Sequence, residues 1–89
     1  MHVSWSELEL FLAVADAGSL SGAAKRLQVT QPTVSRQLAE LEAQLGEPLF
    51  LRAVDGARLT AFGERLLEPT RRMADAAREA DVAASGAET

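Results

Sequence analysis

Thr30-Gln31-Pro32-Thr33-Val34-Ser35-Arg36-Gln37 opens a segment in which Val34, Leu38, Leu41 and Leu45 recur at the spacing of one helix face. Thr30 suits an N-cap, and Pro32 falls in the first turn, where its missing N–H does little harm. Gly46 followed by Pro48 closes the helix, which therefore spans about residues 31–45. With those four apolar residues turned inward, Pro32, Arg36, Ala39 and Glu40 face outward, and Gln31, Thr33, Ser35 and Gln37 lie on the flanks. Before it, Gln28, Val29 and Thr30 form a three-residue connection to a very short helix. Ala23, Ala24 and Leu27 supply that helix's buried side, and Ser19 and Ser21 are both suitable N-caps. Earlier still, Leu8, Phe11, Leu12 and Ala15 mark an amphipathic helix over about residues 5–17 that ends at Gly18.

Beyond Pro48 the period changes. Leu49 to Arg52 and Arg58 to Thr60 flank Val54-Asp55-Gly56-Ala57, and Asp-Gly between two extended runs signals a small β-hairpin. Thr60 can cap a last helix that carries Phe62, Leu66, Leu67, Met73, Ala77, Ala80 and Ala84 at spacings of three, four and seven. Pro69 falls inside it and removes one backbone hydrogen bond at a cost of roughly 3 kcal/mol, so a kink or break is expected near residues 65–69. Two helices three residues apart, the second with a polar, basic start, followed by a basic hairpin, outline a winged helix-turn-helix: mainly α, three helices and a hairpin wing, with a long C-terminal linker helix. The chain divides into the winged helix-turn-helix unit at 1–60, the last helix at 61–84 and a disordered tail at 85–89.

Composition narrows the alternatives. The 89 residues fit one small domain, and 47% hydrophobic with 25% charged residues are ordinary globular values. The absence of Cys excludes a disulfide framework, a thiolate zinc site and a Cys nucleophile, and lone His2 assembles neither a metal cluster nor a triad. Neither a membrane-spanning run nor a signal peptide is visible, which leaves a cytoplasmic binding module with no catalysis, metal or cofactor. The net charge of −4 speaks against nucleic acid, but its distribution does not: residues 19–37 hold Lys25, Arg26 and Arg36 and no acid, and residues 52–72 are also net basic.

Short donors and acceptors near a helix start reach base edges, and Arg36 can form the bidentate pair to guanine, so Gln31, Ser35 and Arg36 lead the base-reading candidates. The helix start also offers its positive dipole end to phosphate. Lys25 and Arg26 suit either phosphate contact or a solvated face. At least one of Arg52 and Arg58, on the projecting hairpin, is expected at phosphate or the minor groove. Trp5 reads as a core or interface anchor.

Several of these words, in this order, resemble the N-terminal DNA-binding domain of LysR-type transcriptional regulators, bacterial-type regulators, across residues 4–68 and on into the linker helix. They are Leu8-x-x-Phe11-x-x-Val14-Ala15, Gly18-Ser19-Leu20-Ser21-x-Ala23-Ala24-x-x-Leu27 and Thr30-Gln31-Pro32-Thr33-Val34-Ser35-Arg36-Gln37-x-x-x-Leu41-Glu42, then Leu45-Gly46-x-x-Leu49-Phe50-x-Arg52 and Leu59-Thr60-x-x-Gly63. The resemblance implies sequence-specific binding of double-stranded DNA, with a recognition helix in the major groove, a wing (49–60) near the minor groove and a linker helix paired with that of a second subunit. It maps recognition to Gln31, Pro32, Thr33, Ser35 and Arg36, with Ser21 at the backbone and Arg52 and Arg58 on the wing. A homodimer would use Phe62, Leu66, Met73, Ala77 and Ala80.

Two departures stand out. Asp55 occupies a wing position where the family commonly carries Arg, and a carboxylate facing phosphates is unfavourable, so Arg58 or Arg52 would take over that role. The family also continues into a two-lobed effector-binding domain that 89 residues cannot form, so this chain binds no effector and is either an excised domain or a truncated member. The alternative function is a helical dimerisation module that titrates related regulators without binding DNA; within the DNA-binding class, a molybdate-type regulator with a similar N-terminal winged helix is a further reading. Arg36→Ala is expected to weaken specific binding by roughly 1–3 kcal/mol and to relax preference at one base of each half-site, read by titration against matched and mismatched duplexes.

Overall fold

The computed structural model describes residues 2–54 and 56–86. Its elements run α1 (Trp5–Ala17), α2 (Leu20–Leu27), α3 (Gln31–Leu45), β1 (Phe50–Ala53), β2 (Gly56–Leu59) and α4 (Ala61–Ser85). Each helix starts on a side-chain cap. Ser4 and Glu7 form a reciprocal capping box on α1, while Ser19, Thr30 and Thr60 accept from Gly22, Thr33 and Gly63 on α2, α3 and α4. Of the two serines able to cap α2, the structure uses Ser19, and Ser21 is left exposed.

The core forms where α1, α2 and α3 meet beneath the hairpin base. Phe11, Val14, Ala23, Val34, Leu38, Leu41 and Leu49 have no exposed surface. Ala23 and Ala24 bring α2 into this core, where both are buried. The Phe11 and Phe50 rings lie 5.6 Å apart at 45°, which joins α1 to the first strand.

The hairpin is tighter than the sequence indicates. Antiparallel pairing runs from Phe50 with Leu59 to Ala53 with Gly56, so Gly56 and Ala57, read as turn, belong to β2, and only residues 54 and 55 link the strands. The main-chain N–H of Ala57 donates to the Gly18 carbonyl (3.0 Å), and a Cβ on Gly56 would collide with that same oxygen, so the hairpin leans on the α1–α2 turn.

Of the kink or break expected near residues 65–69, the break does not occur in α4. The helix runs unbroken through Pro69, and both Pro69 and Arg65, whose carbonyl loses its helical donor, lie on the exposed side, where water can substitute. Next to it, Thr70 is buried and its hydroxyl donates to the Leu66 carbonyl (2.7 Å). Ser85 is still helical and Gly86 caps the helix with φ 71°, so the first two residues assigned to a disordered tail form the helix end; residues 87–89 lie outside the described residues. Leu38→Ala removes a wholly buried side chain from the seam under α3 and is expected to lower unfolding free energy by about 2–5 kcal/mol in urea denaturation.

Candidate nucleic-acid interface

Burial of Val34, Leu38, Leu41 and Leu45 turns the opposite side of α3 to solvent. Gln31, Pro32, Arg36 and Gln37 are exposed, and Thr33 and Ser35 are half-buried, as the helical spacing predicts. Thr33 is the least free of these, because its hydroxyl lies 2.8 Å from that of Thr30 within the N-cap. The start of α3 thus presents a Gln amide, a guanidinium and a Ser hydroxyl from one rigid turn.

The hairpin places its two arginines differently. Phe50 and Leu59 pair on the core side of the ribbon, so the pleat puts Arg52 and Ala57 on that side and Leu51 and Arg58 on the other. Arg52 joins Ser19, Ser21 and Gln31 around a shallow concavity that Leu20 and Ala57 also line. Arg58 is exposed on the outer face, away from that group. The structure therefore unites Ser21, Gln31 and Arg52 and separates Arg58 from them. Ser19 was not singled out as a contact in the sequence; residues from position 19 to position 57 meet there only through folding, and no local spacing signals it. Val54, fully exposed at the tip, and Leu51 give the wing an apolar edge. Asp55, the wing departure noted in the sequence, lies outside the described residues.

Ion pairing sorts the remaining cations. The Asp16 carboxylate receives Arg71 of α4 at 2.9 Å and Arg26 of α2 at 4.0 Å, so Arg26 is partly engaged within the domain. Lys25, Arg36, Arg52 and Arg58 are exposed and form no ion pair among the described residues. Their charge is available to an external anion.

The stripe assigned to dimerisation splits in two. Phe62 and Leu66 are half-buried against the domain's own core, whereas Met73 and Ala80 are exposed and Ala77 is half-buried. The division arises because the first turns of α4 lie over the hairpin base and α1, while the later turns run past them. Ala74 and Ala77 face Trp5, Leu12 and Ala13 of α1 across an open groove, so Trp5 is an edge residue of that groove instead of a core residue.

A short capped helix, a second helix with a solvated polar start and a hairpin braced beside it constitute a winged helix-turn-helix of the DNA-binding class. Sequence comparison agrees: the family described as bacterial regulatory helix-turn-helix protein, lysR family, matches residues 5–64. The chain belongs to that family, and its fold is that of the family's DNA-binding domain. Among relatives, the transcriptional regulator TcbR of Pseudomonas sp. is 45% identical over 75 residues, covering 84% of this chain and 26% of TcbR. A small neutral protease regulatory protein of Streptomyces coelicolor is 43% identical, covering 100% of this chain and 28% of that protein. These relatives are regulators and not enzymes, and the chain spans about a quarter of their length. Among solved structures, the DNA-binding domain of CbnR in complex with DNA superposes with a TM-score of 0.80 at 40% identity, covering 98% of this chain and 100% of that one. An OxyR of Corynebacterium glutamicum superposes with a TM-score of 0.89 at 31% identity, covering 98% of this chain and 28% of that one.

The unequal placement of the wing arginines is directly testable. Arg52→Ala is expected to weaken duplex binding about tenfold and Arg58→Ala by no more than about threefold, in fluorescence anisotropy titrations at one fixed salt concentration.

Proposed function

We propose that this chain is the sequence-reading head of a transcriptional regulator, with α3 in the major groove and the hairpin beside the adjacent minor groove. Gln31, Pro32, Thr33, Ser35 and Arg36 meet base edges, Ser21 meets the phosphate backbone, and Arg52 lies between phosphate and minor groove. Residues 1–60 carry the reading head, and 61–84 carry the linker, which also completes the core through its first turns. The observation that carries this reading is the convergence of Ser21, Gln31 and Arg52 on one concavity beside the solvated start of α3. Support also comes from the similarity to CbnR, whose domain was solved on DNA.

Two copies pair along the later turns of α4, through Met73, Ala77 and Ala80, with Phe62 and Leu66 supporting the helix from within each domain. Alanines allow close helix approach but bury little area, so the isolated pair is weak and gains affinity when two heads occupy one duplex. The working compartment is the cytoplasm, where a bacterial regulator meets its DNA, and among the described residues no helix is long and apolar enough to cross a membrane.

Selection of bound sequences from a random DNA pool, with sizing of the selected complex, tests both parts. The expected outcome is an enriched motif of dyad symmetry holding two chains, with log K falling linearly as log salt rises. Failure to enrich any motif overturns sequence reading, and one chain per motif overturns pairing. Salt-insensitive association with a related regulator in place of DNA binding would support the titrating alternative.

A further inference from the structure

Glu42 lies on α3 beyond the reading residues and takes no part in the interface described above. Its Oε2 accepts the main-chain N–H groups of both Leu49 (2.6 Å) and Phe50 (3.2 Å), reaching across the Gly46–Pro48 turn to the start of the hairpin. The side chain is half-buried, and both donors belong to core residues, so the carboxylate supplies an acceptor where water has restricted access. Leu49 is held from its other side as well. Its carbonyl accepts from the Thr60 main-chain N–H (2.9 Å) and lies 3.3 Å from the Thr60 hydroxyl, which also donates to the Pro48 carbonyl (2.8 Å). A Cβ on Gly63 would collide with that same Leu49 oxygen, so the first turn of α4 is pressed against the hairpin base. One residue, Leu49, thereby joins three parts: the recognition helix through Glu42, the hairpin through the chain itself and the linker helix through Thr60.

We infer that Glu42 is a positioning residue for DNA binding: by clamping the first strand to α3, it sets where Arg52 lies relative to Arg36. This rests on the wing reading proposed above. Without the carboxylate, two N–H groups at the hairpin base lose their acceptor. The hairpin base then keeps the Thr60 hydrogen bonds to Pro48 and Leu49, the Phe11–Phe50 contact and the Ala57–Gly18 hydrogen bond, none of which includes a residue of α3. The recognition helix keeps its own core face, so the loss falls on the wing and not on α3. A generic loss of stability would weaken contacts by α3 and the wing alike; a lost tether makes the wing arginine alone stop mattering.

The experiment is a pair of double-mutant cycles on the 89-residue chain, using a duplex that carries the motif enriched from random DNA. Glu42→Ala is expected to weaken binding about tenfold, and Glu42→Gln, whose amide oxygen still accepts, by no more than about threefold. In the Glu42→Ala background Arg52→Ala should lose most of its effect, whereas Arg36→Ala should retain its full effect. Amide exchange at Leu49 and Phe50 should accelerate in Glu42→Ala and remain slow in Glu42→Gln. If Glu42→Ala does not fold by circular dichroism, Glu42→Asp, one methylene too short to reach, replaces it in both cycles. Additive effects of Glu42 and Arg52, or equal coupling of Glu42 to Arg52 and Arg36, overturn the inference. If Arg52→Ala has no effect in the parent chain, the wing reading fails and takes the inference with it. Amide exchange distinguishes that case, since the tether at Leu49 and Phe50 is measured without DNA.

Discussion

A helix can offer a polar face to DNA only if its opposite face is held still, and here that task falls to a small apolar seam. Phe11 of α1 and Val34, Leu38 and Leu41 of α3 are all fully buried in one cluster, and the Phe11 ring also meets Phe50 at the root of the hairpin. Gln31, Ser35 and Arg36 are placed by this seam, because side chains on a helix keep fixed angular offsets from one another. The hairpin is placed by the same aromatic contact and by hydrogen bonds at both of its ends. Reading helix and wing are therefore two outlets of one core, not independently mobile attachments.

Charge is arranged around this core instead of spread evenly. The chain is net acidic at −4, yet the exposed Arg36, Arg52 and Lys25 lie on elements that border the reading face, and α2 and the start of α3 contribute no acid. Asp16 pairs at the surface with Arg71 and, more loosely, with Arg26, so part of the basic complement links α1 to α4 and α2. Such an arrangement suits modest attraction to DNA in general, with discrimination left to base contacts.

α4 serves two purposes along its length. Its first turns close the core through Phe62, Gly63, Leu66, Leu67 and Thr70, and its later turns extend past α1 and leave Met73 and Val82 exposed. The helix accounts for much of the domain's 47 Å long dimension, since 25 residues span about 37 Å. Pro69 sits at the changeover, on the exposed side, where the missing hydrogen bond is least harmful. Proline's intrinsic penalty does not end the helix there, and Leu66 and Thr70, on either side of Pro69, both pack against the domain.

Periodicity and caps were enough to locate every helix, because both are local properties. The stripe Val34, Leu38, Leu41 and Leu45 and the Thr30 cap define the orientation of α3 from the sequence alone, and hence which of its residues face outward. The hairpin was legible from Asp-Gly between two extended runs, though not the pairing of Ala53 with Gly56, since strand register depends on what the ribbon packs against. Only the tertiary structure decided between Ser19 and Ser21 as the cap of α2 and put Arg52 and Arg58 on opposite faces. It also divided the stripe of α4 between the core and a free surface and brought the Glu42 carboxylate to the root of the wing. Those outcomes depend on residues far apart in the chain meeting at one place, and no repeat or spacing within a single segment encodes such a meeting.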